Sequence, residues 1–475
     1  MKNTYLMLLL LTLLTPVSLQ GQNKSKLSAG INKLIKQQLP EGSNVGIAIY
    51  DLTDDTSLYA YQADKLTRPA STMKLLTAIT SLAQPHAQQP FCTEVYYTGA
   101  IERDTLKGDL YVIGGFDPEF DTRALDSLVN CVARHPFSVI QGMIYGDVSM
   151  TDSLYWGAGW SWDDNPYSYQ PYLSPLMFNK GTVTITATPA HQPGSPAQIT
   201  CVPASSYYSV INRTQTDTPD AGRFKVTRNW LKNGNTIVVS GNVKNKRTST
   251  INLYSSADFF MHTFIERLQA KGITPASAYE FKTLPANAHA VQMVRYETPM
   301  QQVIHTMLKE SDNLNAEAII YQLGAQTTGK KQVSAGDGIK VIEALIKQLG
   351  KTPDFYNIMD GSGLSGYNYI TPDLLVTFLR YAHSHPSIYT HLYPALPIGG
   401  IDGTLSFRLK DKTTYENVRA KTGSFTGINC LAGYLTAANG HKIAFAVMNQ
   451  NVLSERAARA FQDAVCETIV QSLKK

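Results

Sequence analysis

The texture of this chain changes twice, and that double change limits the fold more than any single residue does. Asn44–Tyr61 (NVGIAIYDLTDDTSLYAY) predicts two strands around a turn at Thr53–Asp55. Ser71–Leu82 carries apolar residues at helical spacing and opens with a Ser suited to a helix start. From about Pro85 to Ala288 this pattern gives way to short apolar alternations such as Thr182–Pro189 (TVTITATP) and Thr236–Val243 (TIVVSGNV), set among Pro, Gly, Ser and Tyr. That stretch predicts β-rich structure, read as two modules. Helical spacing returns over 300–309, 314–324, 336–350 and 371–383, the last opening with Thr371-Pro372-Asp373 as cap, first-turn proline and first-turn acid. Strands over 428–436 and 442–450 flank an Asn439-Gly440 hairpin signal, and a helix over 454–473 closes the chain.

Composition sets outer bounds. The chain has 475 residues, 43% hydrophobic and 17% charged, enough to bury a core without metal or disulfide staples and too apolar for a disordered chain. At about 150 residues per domain, such a length suggests about three domains. A net charge of +5 with no block of five like charges excludes a nucleic-acid partner. Residues 1–21 read as a signal peptide: Lys2, an apolar run from Tyr5 to Leu14, then Pro16, Ser18 and Gly21. The run is shorter than the roughly 20 residues a membrane span needs. The expectation is therefore an exported chain, periplasmic or secreted, starting near Gln22 and without a stable membrane span. The cysteines (Cys92, Cys131, Cys201, Cys430, Cys466) are odd in number, include no C-x-x-C pair and read as buried free thiols. The histidines are scattered without H-E-x-x-H, so no metal and no cofactor is expected.

Three short motifs stand in order: Ser71-Thr72-Met73-Lys74, Ser311-Asp312-Asn313 and Lys421-Thr422-Gly423-Ser424. Each is weak alone. Ser472-Leu473-Lys474-Lys475 repeats the first pattern at the C-terminus, and Ser240-Gly241-Asn242 echoes the second inside a predicted strand. The ordered trio is specific because each member lies in or beside an element suited to its chemistry. A serine hydroxyl needs an adjacent base near neutral pH. Residues i and i+3 share a helix face about 5–6 Å apart, so Lys74 can reach the Ser71 oxygen. A lysine acts as a base only when neutral, and burial beside a second cation lowers its pKa. Lys421 can be that cation and can also hold a substrate carboxylate, assisted by the hydroxyls of Thr422 and Ser424. Ser311 suits a proton relay to a leaving amine, and Asn313 offers an amide to a substrate peptide bond. The backbone N–H groups of Ser71 and Ser424 can form an oxyanion hole.

The trio matches the S-x-x-K, S-D-N and K-T-G set of penicillin-recognising serine enzymes. Further segments narrow the likeness: Gly108-Asp109-Leu110-Tyr111 leading to Gly114-Gly115-Phe116-Asp117-Pro118, Trp162-Asp163-Asp164 followed by Tyr169, Ser174 and Asn179, Asp360-Gly361-Ser362-Gly363-Leu364-Ser365, and Gly400-Ile401-Asp402-Gly403-Thr404-Leu405. With these the chain resembles the D-alanyl-D-alanine carboxypeptidase/endopeptidase family, the low-molecular-mass class C penicillin-binding proteins, from about residue 45 to 450. Two positions depart from the pattern: Asp312 stands where that family more usually has Asn, and Phe116 replaces a third glycine.

The resemblance implies an α/β (α+β) catalytic domain of the serine β-lactamase/transpeptidase kind, an antiparallel sheet flanked by helices, with β-rich inserted domains. The catalytic domain would combine 22–85 and 295–475, and 86–294 would be the insertion. It implies hydrolysis of the D-Ala–D-Ala bond of peptidoglycan stem peptides through an acyl-enzyme on Ser71, with β-lactams as covalent inhibitors. Ser71, Lys74, Ser311 and Lys421 would be catalytic; Asn313, Thr422, Gly423, Ser424 and Asp164 would bind substrate. Asp164 would receive an amine such as that of the stem peptide's diamino acid. A β-lactamase or ester hydrolase of the same superfamily, or a non-catalytic cell-wall binding protein, are the alternatives. The balance of carboxypeptidase and endopeptidase action and the oligomeric state stay open.

Two other patterns compete. Gly361–Gly366 spells G-x-G-x-x-G, but the next helix starts past the motif, at Thr371, and 380–388 contains no acid, which excludes a dinucleotide site. Adjacent Asp163 and Asp164 in an extended segment point to opposite faces, which argues against a paired-carboxylate acid/base site.

Overall fold

The computed structural model describes residues 22–474, so the expected signal peptide at 1–21 lies outside the described residues. The described residues divide into two compact units: 22–85 with 304–312 and 342–474, and 86–303 with 313–341. The first break falls at the end of the segment assigned above to catalysis. On the C-terminal side the division differs, because 295–303 and 313–341 go with the second unit. The second motif straddles that boundary, with Ser311 and Asp312 on one side and Asn313 on the other.

The first unit is built on a five-stranded antiparallel sheet whose strands run Arg419–Phe425, Gly427–Thr436, Lys442–Val452, Asn44–Asp51, Thr56–Tyr61. The N-terminal hairpin thus joins the C-terminal strands, Ile47 opposite Val447 and Ile49 opposite Phe445. This pairing of distant segments lets two short ends bury one sheet. The turn after the first strand forms because the Asp51 carboxylate accepts the N–H groups of Thr53 and Asp54 at 2.9 and 3.1 Å. The Asn439-Gly440 hairpin is present, with Gly440 at φ 91°. Alternation along Lys442–Val452 turns Ile443, Phe445 and Val447 toward Leu27 and Ile31 of helix 22–38 and Phe461, Val465 and Ile469 of helix Glu455–Ser472. Both faces are covered, and the other carries the small Ala444 and Ala446, against which helix Pro372–Ser384 packs. That helix starts as expected, Thr371 Oγ1 accepting the Leu374 N–H at 3.0 Å. Helix Met73–Leu82 lies against it and is buried along its whole length.

The second unit centres on a five-stranded mixed sheet ordered Tyr279–Phe281, Ile144–Asp147, Leu110–Gly114, Phe91–Thr98, Ala290–Thr298, with smaller sheets beside it. It also contains helices, which the β-rich reading of 86–294 does not name. Helices Thr122–Val132 and Ser256–Ala270 supply Leu125, Leu128, Phe260 and Phe264 to the core that Val95, Leu110 and Ile144 share. Helix Asn313–Thr328 belongs to this unit as well.

Candidate active site

Ser71 sits in a single 3-10 turn, Ala70–Thr72, that leads into helix Met73–Leu82. It is not a helix cap. No side chain caps this helix, and Lys74 Nζ lies 2.9 Å from Ser71 Oγ. The turn is held in an unusual shape: Ala70, buried, adopts φ 45°, a left-handed conformation a residue with a Cβ rarely takes. Two glycines make room for it. A Cβ on Gly363 would sit 1.9 Å from the Ala70 carbonyl oxygen. One on Gly423 would sit 2.7 Å from the Pro69 oxygen and 2.9 Å from the backbone nitrogens of Ser71 and Thr72. The backbone of the third motif therefore presses on the Ser71 turn from one side, and the Gly361–Gly366 loop contacts that turn as well. Strain of this kind persists only where the surroundings over-determine it.

The G-x-G-x-x-G segment excluded as a nucleotide site has a structural task here. Buried Asp360 accepts the N–H groups of Gly363 (2.8 Å) and Ser365 (2.6 Å) and the Asn368 amide (2.7 Å). The loop so fixed presents the Ser362 carbonyl, which accepts from Lys74 Nζ at 2.7 Å, and the Gly361 carbonyl, which accepts from Thr77 Oγ1 at 2.7 Å. Lys74 is fully buried. Its amine is thus aimed at Ser71 by a backbone oxygen that no residue-type signal could reveal.

Lys421 is also fully buried, and its Nζ donates to the Thr422 carbonyl at 2.9 Å. Burial first, and then the nearby charge of Lys74, hold its ammonium well below the ordinary lysine range. Two lysines brought together out of water cannot both keep a full charge cheaply. Thr422 Oγ1 donates to Thr404 Oγ1 at 2.7 Å, tying the third motif to the Gly400–Leu405 segment. Ser424 is exposed on the same strand, opposite Asn429.

Ser311 follows helix Met300–Lys309 with φ 63°, left-handed like Ala70. In the first unit the structure brings Ser71, Lys74, Lys421, Thr422 and Gly423 together. Asn313 and Asp164 meet one another's surroundings in the second unit. The Asn313 amide donates to the Tyr169 carbonyl at 2.8 Å, so this nitrogen is spent on the protein, and the Tyr169 hydroxyl donates to Asp164 at 2.8 Å. Partial burial raises the Asp164 pKa, the Tyr169 hydrogen bond opposes this, and Asp163 adds to it. Asp163 instead accepts from Ser161 at 2.7 Å, so the adjacent acids have separate partners.

Sequence reasoning missed the residue that anchors this loop. Arg228, buried, donates to Asn165 Oδ1 (3.0 Å) and to the Asn252 side-chain and backbone oxygens (2.8 and 2.9 Å). It also missed Lys309. Among the described residues the cysteines are free thiols, with Cys430 and Cys466 buried and the other three only half-buried, not fully buried as read from sequence. One histidine–acid cluster, Asp51, Asp54 and His441, has metal-like spacing, but Asp51 is spent on the Thr53 turn and on His441 (2.8 Å). No helix among the described residues is long and apolar enough to cross a membrane.

Comparison with known proteins shows the family. The model of the D-Ala-D-Ala carboxypeptidase 3 (S13) family matches residues 27–471. A D-alanyl-D-alanine carboxypeptidase of Actinomadura sp. (strain R39) is 28% identical over 467 residues, covering 95% of this chain and 86% of that one. The D-alanyl-D-alanine carboxypeptidase DacB of Haemophilus influenzae is 27% identical over 421 residues, 86% of each chain. The crystal structure of penicillin binding protein 4 from Haemophilus influenzae superposes with a TM-score of 0.81 at 23% identity, covering 94% of this chain and 99% of that one, a likeness of fold. The chain belongs to the D-Ala-D-Ala carboxypeptidase 3 (S13) family and is a serine-type peptidase.

Proposed function

We propose that Ser71 is the nucleophile of a D-Ala-D-Ala peptidase acting on peptidoglycan stem peptides, with Lys74 as its base. The observation that carries this is the 2.9 Å approach of Lys74 Nζ to Ser71 Oγ, with Lys421 also buried in the same unit. Ser71 Oγ bonds to the carbonyl carbon of the penultimate D-Ala while its proton passes to Lys74 Nζ. The C–N bond breaks, and the leaving amine takes a proton through the Ser311 hydroxyl. Water then attacks the ester, and Ser71 regains its proton. The N–H groups of Ser71 and Ser424 stabilise the oxyanion, and each such donor is worth about 3–4 kcal/mol. Lys421, with Thr422, receives the terminal carboxylate, and Gly423 lets its strand lie against the Ser71 turn. Asn313 and Asp164 lie in the second unit and serve the stem peptide, Asp164 by accepting an amine. Asn313 does so from a side chain whose nitrogen already bonds the protein.

The catalytic domain in this reading is the first unit, and the second is the inserted part. Export by a cleaved leader at 1–21 supplies access to the cell wall, and β-lactams acylate the same serine. The test is mass analysis of products from pentapeptide and crosslinked muropeptides. Release of D-Ala, or cleavage at the crosslink, by the wild type and not by Ser71→Ala is the expected result. Equal release by both proteins would overturn it.

A further inference from the structure

The Gly400–Leu405 segment carries no reacting group, yet it touches the neighbourhood of the second motif and the third. Lys309, two residues before Ser311, is buried, and its Nζ donates to the Leu396 carbonyl at 2.7 Å and to Asp402 Oδ2 at 2.5 Å. The other Asp402 oxygen accepts the Ile398 N–H at 2.8 Å, so the carboxylate is held from both sides. The next residue, Gly403, has φ 52°, and a Cβ there would sit 2.6 Å from the Lys309 carbonyl oxygen, so backbone lies directly on backbone. One residue further, Thr404 accepts from the Thr422 hydroxyl of the third motif at 2.7 Å. Nearby, the Ala420 N–H donates to the Pro397 carbonyl at 3.1 Å. The segment is thus sewn at one end to the residue that launches the Ser311 turn and at the other to the strand of Lys421.

We infer that the Lys309–Asp402 ion pair is a positioning device for Ser311: it fixes the left-handed turn at Ser311 relative to the third motif through Gly403 and Thr404. Ser311 is separated from Lys309 by one residue, and consecutive Cα atoms lie about 3.8 Å apart, so little slack exists for a shift of Lys309 to be absorbed before Ser311. The φ of 63° at Ser311 costs energy that the surroundings must supply, and the Lys309–Asp402 pair, its lysine buried and its carboxylate partly exposed, is a restraint two residues away. This inference rests on the reading of Ser311 as the proton relay.

The experiment measures second-order acylation by benzylpenicillin and kcat on a D-Ala-D-Ala pentapeptide for Asp402→Asn, Lys309→Met and Lys309→Arg, each alone and combined with Ser311→Ala. Rates are scaled to folded protein, well below each thermal midpoint. A misplacement of about 1 Å costs on the order of 10²-fold, so Asp402→Asn and Lys309→Met should lose about ten- to a hundredfold in acylation and kcat with KM little changed. Lys309→Arg should recover most of that loss. In the Ser311→Ala background the same substitutions should add less than about threefold, because a residue acting through Ser311 has nothing left to position. Additive losses in that background, or an Asp402→Asn rate equal to wild type, would overturn the inference. A Ser311→Ala rate equal to wild type would instead overturn the relay reading beneath it, so the two failures are distinguishable. If Lys309→Met does not fold, Asp402→Asn, which keeps the side-chain oxygen for Ile398, carries the same test.

Discussion

Adding one methyl group to Gly423 should damage the enzyme by pressing on the Ser71 backbone, whose N–H is assigned to the oxyanion hole, while every reacting side chain stays unchanged. The Cβ of Gly423→Ala would lie 2.7 Å from the Pro69 oxygen and 2.9 Å from the Ser71 and Thr72 nitrogens. All three are backbone atoms, so no side chain can swing aside. In a close-packed interior the strand and the turn must part by about 0.5 Å or more. Overpacking of this kind destabilises by about 1–3 kcal/mol. The effect on chemistry can be sized separately. If about 1 Å costs about 10²-fold, or about 2.7 kcal/mol of barrier, half that displacement costs about tenfold. The assay is the second-order rate of acylation by a fluorescent penicillin, scaled to folded protein, with Gly366→Ala as control because a Cβ there meets nothing within 4 Å. Gly423→Ala should acylate about tenfold more slowly or worse, and Gly366→Ala within about twofold of wild type. A folded Gly423→Ala protein that acylates at the wild-type rate would refute the argument that this contact sets the Ser71 turn.

Lys421 offers a pH test. Its folded pKa is depressed, mainly by burial and then by Lys74, so the unfolded chain binds more protons between that value and the ordinary lysine value of about 10.4. Stability from this group therefore rises with pH through that window. Lys421→Met should flatten the rise in thermal midpoint on the alkaline side while abolishing acylation; an unchanged slope would contradict the assignment of a depressed lysine. Asp164→Asn should raise KM about tenfold for stem peptides bearing a free amine, the lower range for one charge-assisted bond at a half-buried site, and leave amine-free ester substrates unaffected. Equal effects on both substrates would remove Asp164 from amine recognition.

The elements at the two ends of the chain were legible because their patterns are local: Thr371-Pro372-Asp373, Asn439-Gly440 and the 44–61 alternation each carry their own geometry. The trio of motifs was legible for the same reason, and Lys74 indeed reaches Ser71 from one helical turn away. Helix Thr122–Val132 had a readable signal, Asp121 as cap and Ala124, Leu125, Leu128, Val129 and Val132 on one face, lost among the strand-like stretches around it. Helix Pro386–Ala395 gave almost none, being short and holding Pro394. What no local pattern carries is contact between distant backbone. The Ser362 carbonyl on Lys74, the press of Gly423 on the Ser71 turn and the Lys309–Asp402 pair join residues far apart in sequence. The break inside Ser311-Asp312-Asn313 is of the same kind, since only tertiary packing decides that Asn313 opens a helix of the other unit.

Intact mass after incubation with benzylpenicillin tests the central claim most directly. One adduct of the antibiotic's full mass per chain is expected, mapped to the peptide containing Ser71 and absent from Ser71→Ala. No adduct on the folded wild type, or one that survives Ser71→Ala, would contradict it.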